Sequence, residues 1–305
     1  MRRDRVELGA ACLAFAVGLG LLLTRTGGAY VAQVVVWVSI NIILACSLRV
    51  MLLVGEVNLA VGGFFGVGAY VAAVTFLMLG LPMLVGIVLG ALAAGLFSLP
   101  FGYVTLRTSG HYFMLISFAL TEALRLAYTK SGLLGGNSGL VGMYPDIKAY
   151  PVLVLVFSAA IFLFFFLVDR SHLGRIFSAV AQNERVVRSV GLHVSRVKLL
   201  CLVISSCVAG FAGGLFSFAN TVIAPGDFSF MLSIYALAYV KIGGQSHAAG
   251  AVVGTVLLFA LAQLAILYGA QDMLIYGAAL LIAMLLMPEG IVGLAQRVLR
   301  RKQTA

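Results

Sequence analysis

Seven stretches of this chain contain no aspartate, glutamate, lysine or arginine: Leu8 to Thr24, Thr26 to Leu48, Val57 to Leu106, Ala149 to Val168, Leu199 to Gly226, Ile242 to Gln271 and Met273 to Pro288. Runs of that length leave few folding options. In hydrocarbon every backbone N–H and C=O must be bonded within the protein, and a helix that achieves this crosses about 30 Å in about 20 residues. The longest run, Val57 to Leu106, is too long for one crossing and is expected to fold back at Gly80-Leu81-Pro82. With one further segment ending near Thr129 and another beginning near Phe228, the spacing predicts about ten crossings. Residues 1–305 are therefore expected to form a single all-α integral membrane domain, a polytopic helical bundle in which some helices are discontinuous. Composition agrees: 62% of residues are hydrophobic and 10% charged, against about 45–50% and about 25% in soluble domains.

Lysines and arginines in short loops stay on the cytoplasmic side. Arg2, Arg3 and Arg5 precede the first run, six basic residues lie between Arg170 and Lys198, and Arg297, Arg300, Arg301 and Lys302 follow the last run. An even number of crossings between these clusters places both termini and the 170–198 segment in the cytoplasm, with the 130–150 loop outside. The net charge of +10 then reads as a topology signal, not as affinity for nucleic acid. The first run lacks a small-residue cleavage site and reads as a retained helix in a plasma or inner membrane.

No sequence feature argues for catalysis. There is no GxxxxGK[ST] phosphate loop, no HExxH and no GxSxG; the glycine-rich segment Gly132 to Gly142 lacks the lysine and falls in the expected outer loop. His111, His172, His193 and His247 show no ligand spacing, so neither a metal nor a cofactor is expected. Cys12, Cys46, Cys201 and Cys207 all lie in apolar runs and read as packing residues.

The 35 glycines are more informative. Gly62 and Gly66, Gly86 and Gly90, Gly210 and Gly214, and Gly250 and Gly254 recur at four-residue spacing, which lets helix backbones approach closely in lipid. Two glycine clusters also carry polar groups: VGEVNLAVGGFFGVG (Val54 to Gly68) and KIGGQSHAAGAVVG (Lys241 to Gly254). Paired glycine-interrupted segments are the pattern of broken helices lining a transport path. Glu56, Asn58 and Lys241 are therefore candidate pathway residues, because ionisable groups within spans face a cavity or one another. The competing reading is that Glu56 caps a helix start and Lys241 snorkels to the interface. Glu122 and Arg125, three residues apart in an otherwise uncharged helix, are expected to pair, either as a structural ion pair or along the path.

One polar segment interrupts the apolar pattern: HLGRIFSAVAQNERVVRSVGLHVSRVK, His172 to Lys198. Ile176, Phe177, Ala179, Val180, Val186, Val187 and Val190 recur mainly at three- and four-residue steps, while Arg185 and Arg188 face elsewhere. This predicts an amphipathic helix or a pair of short ones. Glu184 and Arg188 stand at i and i+4, and Gly191 is placed as a C-terminal cap. Such a segment is either a lipid-surface helix held by its arginines to anionic headgroups or a docking helix for a cytosolic partner.

These residues resemble the permease subunits of branched-chain amino acid ABC importers. Gly174, Arg175, Ala179, Asn183, Glu184, Gly191, Lys198 and the run Ala209-Gly210-Phe211-Ala212-Gly213 match that family's cytoplasmic loop and following helix residue by residue. GEVNLAVGGFFGVGAYVAA, LRTSGHYFMLISFALTEALRL, GGNSGL, IGGQSHAAGAVVG and MPEGIVGL continue the match in order from Gly55 to Leu294, and the Tyr-Phe helix with the PEGIVGL ending points to the LivM type. The resemblance implies a bacterial or archaeal membrane protein that passes a small polar solute, most readily a branched-chain amino acid, inward. Urea, short amides or sugars are the rival solutes, and a stand-alone secondary transporter the rival class. It also implies a second permease subunit in a heterodimer, two separate cytosolic ATPases and an extracytoplasmic solute-binding protein. The 170–198 loop would be the ATPase-coupling element, through Gly174, Arg175, Asn183, Glu184, Arg188 and Gly191. Glu56 and Asn58 stand where the family commonly has Gln and Ser, and Lys241 where an aliphatic residue is usual.

Overall fold

A computed structural model describes residues 28–108, 110–145, 149–245 and 247–267, together with Gly277 and Ile291. Two expected spans, Leu8 to Thr24 and Met273 to Pro288, fall outside the described residues apart from Gly277, as do the basic clusters at the two termini and Cys12. The chain is a helical bundle, in order α1 (Ala29–Leu53), α2 (Val61–Leu77), α3 (Met83–Thr105), α4 (His111–Lys130), α5 (Tyr150–Arg170), α6 (His172–Gln182), α7 (Glu184–Ser189), α8 (Val194–Asn220), α9 (Phe230–Gly243) and α10 (Ala248–Leu267). The remaining eight expected crossings fall on α1–α5 and α8–α10, but not all of these helices are long and apolar enough to count as separate spans, so the described residues support four or five crossings rather than eight. By length and apolarity alone α1, α3, α5 and α8 each suffice to cross a membrane; α9 and α10, bent by 112° at their junction, qualify as one broken or re-entrant unit. The apolar α2 is shorter, at 17 residues.

The chain turns at Gly80-Leu81-Pro82, as the length of the run demands: Gly80 takes φ +62, and Pro82 sits in extended backbone just ahead of α3. The bundle's core is a glycine seam. A side chain on Gly68 of α2 would overlap the Gly210 carbonyl of α8. One on Gly90 of α3 would come within 2.5 Å of the Gly68 carbonyl oxygen, and one on Gly210 within 2.5 Å of Ala94 Cβ. Three backbones thus meet where only hydrogen fits, which is how small residues drive association without hydrophobic transfer. Next to the seam Phe65, Tyr70, Tyr128, Phe216 and Phe228 form a ring cluster, with Tyr70 and Tyr128 centroids 4.6 Å apart. Cys46 and Cys201 are buried free thiols and Cys207 is half-buried, consistent with packing.

Helices α5 and α8, about 30 and 40 Å long at 1.5 Å per residue, run between two different ends. At one end a two-stranded antiparallel ladder pairs Leu140 with Ile223 and Val141 with Val222, reinforced by Gly142 N–H donating to the Thr221 carbonyl. At the other end lie α6 and α7.

Candidate functional site

Between α1 and α2 the helix stops for residues 54–60, yet Val54, Glu56, Asn58 and Ala60 are all buried. Backbone without helical bonding is tolerated at depth only where the protein satisfies it, and here hydroxyls do so. Ser117 Oγ of α4 accepts from Leu59 N–H (2.9 Å), while Thr121 Oγ1 of α4 (2.8 Å) and Ser233 Oγ of α9 (2.7 Å) donate to the Leu59 carbonyl. Ser233 Oγ also accepts from Gly62 N–H (2.9 Å), and Asn58 Oδ1 accepts from Ala60 N–H (2.9 Å) at the start of α2. Asn58 Nδ2 is buried with no hydrogen-bond partner among the described residues.

Glu56 faces the α6–α7 end. Its Oε2 accepts from Gly110 N–H (3.0 Å) at the entry to α4, where the helix dipole favours a carboxylate. Its Oε1 lies 2.6 Å from Lys198 Nζ on α8, and both side chains are only 3% exposed. Lys198 Nζ is also 2.6 Å from Glu184 Oε1, and Glu184 Oε2 is 3.3 Å from Arg188 Nη2. Charges alternate along Glu56, Lys198, Glu184 and Arg188, so the cluster is formally neutral.

The polar segment is a pair of short helices, one of the two forms expected. Ser171 Oγ accepts from Leu173 N–H to start α6; Asn183 Oδ1 accepts from Arg185 and Val186 N–H, breaking α6 from α7 and capping the latter. Gly191, at φ +88, ends α7: Leu192 N–H donates to the Val187 carbonyl and Gly191 N–H to the Arg188 carbonyl, the paired bonds of a Schellman motif. Gly174 permits the tight α5–α6 corner, since a β-carbon there would lie 2.5 Å from the Val168 carbonyl oxygen. Arg175 is exposed and reaches His172 Nδ1 at 3.1 Å.

A second buried cation occupies the same end. Arg49 of α1, 1% exposed, grips Asp169 at the end of α5 with both terminal nitrogens (3.1 and 2.7 Å), and its Nε donates to the Gln245 carbonyl (3.0 Å) between α9 and α10. The glycine-rich Lys241 segment is the second helix break, because α9 ends at Gly243 and Gly244 takes φ +111. Lys241 Nζ donates to Gln245 Oε1 (3.0 Å) and makes no ion pair among the described residues. On the more exposed side of α4 Glu122 Oε2 and Arg125 Nε pair at 2.6 Å, and Glu122 Oε1 accepts from Phe230 N–H at the start of α9.

Of the sequence candidates, the structure brings Glu56 and Glu184 together through Lys198, keeps Glu122 with Arg125 as a separate pair, and leaves Lys241 apart from Glu56 and Asn58. Sequence reasoning did not single out Arg49, Asp169, Ser117, Thr121 or Ser233, nor Lys198 as an ion-pair partner. A signal for the charged ones was present: Arg49, Glu56, Asp169 and Lys198 each stand directly beside a charge-free run, at the same end once helix directions are followed.

Comparison with known proteins bears on what such a bundle does. The family model for the permease component of branched-chain amino acid transport systems matches residues 30–287. The chain is 28% identical to the high-affinity branched-chain amino acid transport system permease protein LivM of Salmonella typhimurium, over 96% of this chain and 76% of that one. It is 30% identical to the corresponding permease protein BraD of Pseudomonas aeruginosa, over 79% and 87%. Similarity extends to LivH of Salmonella typhimurium at 25% identity, over 79% and 87%.

Proposed function

The chain belongs to the family of branched-chain amino acid transport system permease components, and from that premise we propose that it forms one half of the membrane pathway of an ATP-driven importer for branched-chain amino acids. It is a transport subunit, not an enzyme. ATP is hydrolysed on two separate cytosolic chains, a second, non-identical permease completes the pathway, and an extracytoplasmic binding protein delivers the solute. The names of the relatives favour branched-chain amino acids over urea, amides or sugars, and a subunit of a larger transporter over a self-sufficient carrier.

One observation carries the coupling role: α6–α7 is exposed on its outer side yet tied into the bundle. Arg185, Arg188, Val186 and Val190 face outward, Val186 and Val190 being 57% and 75% exposed, while Val187 is buried and Glu184 is bound to Lys198. A mixed basic and apolar outer surface suits a groove on an ATPase, and the tether suits transmission of its movement. In this reading the 170–198 segment and both termini are cytoplasmic, the 130–150 loop is outside, and the membrane is a bacterial or archaeal inner membrane. For the pathway, geometry favours Glu122 and Arg125 over Glu56. Glu56 and Lys198 keep only 3% of their side chains exposed, whereas Glu122 keeps 22% and Arg125 38%.

Leucine uptake by vesicles carrying the complete transporter tests the function. Gly191→Trp tests docking: open space surrounds this glycine, so the bundle is spared, while the positive φ costs a bulky residue about 1–3 kcal/mol and loosens the α7 cap. ATPase co-purification should drop; unchanged co-purification and uptake would return α6–α7 to a lipid-surface role. Cysteine labelling of intact cells should reach Ser138 and not Ser189, and the reverse pattern would invert the topology.

A further inference from the structure

Lys198 is shared by three parts of the molecule. It stands on α8, binds Glu184 of the outward-facing α7, and binds Glu56 in the buried 54–60 interruption. Beside it Gly55 touches α6, close enough that a β-carbon on Gly55 would lie 3.5 Å from Ala181 Cβ. On the other flank Arg49 joins the last turn of α5, which leads directly into α6, to the Gln245 carbonyl in the α9–α10 turn. Both cations are almost wholly enclosed, Lys198 at 3% and Arg49 at 1% exposed. Separating either from its partners would strand charge in the interior, which costs far more than moving the joined parts together.

We propose that α6–α7, the 54–60 interruption and the α9–α10 turn move as one rigid unit, with Lys198 and Arg49 as its buried joints. A displacement of α7 is then delivered to both helix breaks at once. Lys198 is a positioning residue that acts through Glu56 on the irregular backbone. The inference rests on the coupling role of α6–α7 and extends it from the surface to the two breaks.

The test uses the complete transporter in vesicles and reads ATP hydrolysed per leucine moved, a ratio that loss of folded protein alone does not change. Lys198→Met should raise that ratio about 5–150-fold, the span of ordinary coupling energies between sites. Gly55→Cys with Ala181→Cys should form a disulfide, because the 3.5 Å separation lies within the range a disulfide accepts, and the covalent link should replace the ionic joint. Since φ +89 at Gly55 costs a cysteine about 1–3 kcal/mol, the reduced form of the same variant is the reference for each oxidised one. In Lys198→Met the ratio should fall toward the unaltered value on oxidation and rise again on reduction. A Lys198→Met ratio equal to that of the unaltered chain, or one that stays high after oxidation, overturns the proposal. Should Lys198→Met not assemble, the cysteine pair in the otherwise unaltered chain decides. Uptake retained on oxidation supports joint motion, and uptake lost shows that the interruption and α6 separate during the cycle. Failure of the unaltered chain to retain its ATPases would strike the coupling role itself and the proposal with it.

Discussion

Glu56 and Lys198 keep 3% of their side chains exposed, whereas Glu122 keeps 22% and Arg125 38%. Both pairs close to 2.6 Å and both carboxylates accept from a backbone N–H at a helix entry, Gly110 for one and Phe230 for the other. The difference lies in what surrounds them. The first pair is enclosed by α4, α7, α8 and the interruption, so its charges are cancelled within the chain. The second is open on the outer side of α4, where Tyr112, Leu115 and Leu126 are also exposed. A lone arginine at the centre of a lipid-facing helix costs about 2.5–3.5 kcal/mol on insertion scales. That side of α4 therefore calls for protein or water rather than lipid, a need that the second permease or the solute path meets in the function proposed above. In the proposal above, enclosure suits a joint, and exposure at similar geometry suits a place where a partner or solute arrives.

This contrast breaks most readily at Lys198. Removing one partner of an enclosed pair leaves the other charge uncompensated, so Lys198→Met should cost about 3–5 kcal/mol in stability. A triple change that also makes Glu56→Gln and Glu184→Gln should recover part of this, because no charge is then stranded. Thermal unfolding of the detergent-purified transporter measures both, and a Lys198→Met cost under about 1 kcal/mol, the scale of surface pairs, would erase the distinction.

At the open pair stability and transport should part company. Arg125→Leu should cost below about 1 kcal/mol, the value of solvated ion pairs, while leucine uptake falls by much more than the loss of folded protein. Exchanging the two charges, Glu122→Arg with Arg125→Glu, should restore insertion without uptake if the pair lines the path. Restored uptake would make it purely structural. The smallest effect is expected at Lys241, whose ammonium hydrogen-bonds the Gln245 side chain and makes no ion pair among the described residues. Lys241→Leu should change stability by no more than about 0.5 kcal/mol and leave uptake intact; a clear loss of uptake would bring Lys241 back among the pathway residues.

Much of the architecture could be read from residue order because it is local. The fold-back at Gly80, the break announced by the Gly55 cluster and the helix stop at Gly191 each follow from a few adjacent residues and the torsions they allow. Asn183 shows the edge of that legibility: the sequence permits either one amphipathic helix or two, and the choice is made by its side chain capping α7. The ionic contacts are a different matter. Lys198 lies 142 positions from Glu56, and Arg49 120 from Asp169. Charge spacing shows that these residues share one end of the bundle but not which will touch. For the same reason Glu56 and Lys241, grouped by the likeness of their glycine-rich surroundings, end in separate contacts, since two similar local sequences can present different faces to the bundle.

The hydroxyl bonds to Leu59 have a consequence for biosynthesis. Two of the three come from α4, but Ser233 of α9 lies 174 residues further along the chain. At about 5–20 residues per second of synthesis, the first break waits roughly 10–35 s before that donor is made. During this interval the Leu59 carbonyl and the Gly62 N–H lack a final bond in a setting where unsatisfied backbone is expensive. The α4 hydroxyls already serve Leu59, so the arrival of α9 completes the bonding of this region rather than starting it. A chain truncated before residue 233 lacks both Ser233 bonds and is expected to leave this break only partly sealed.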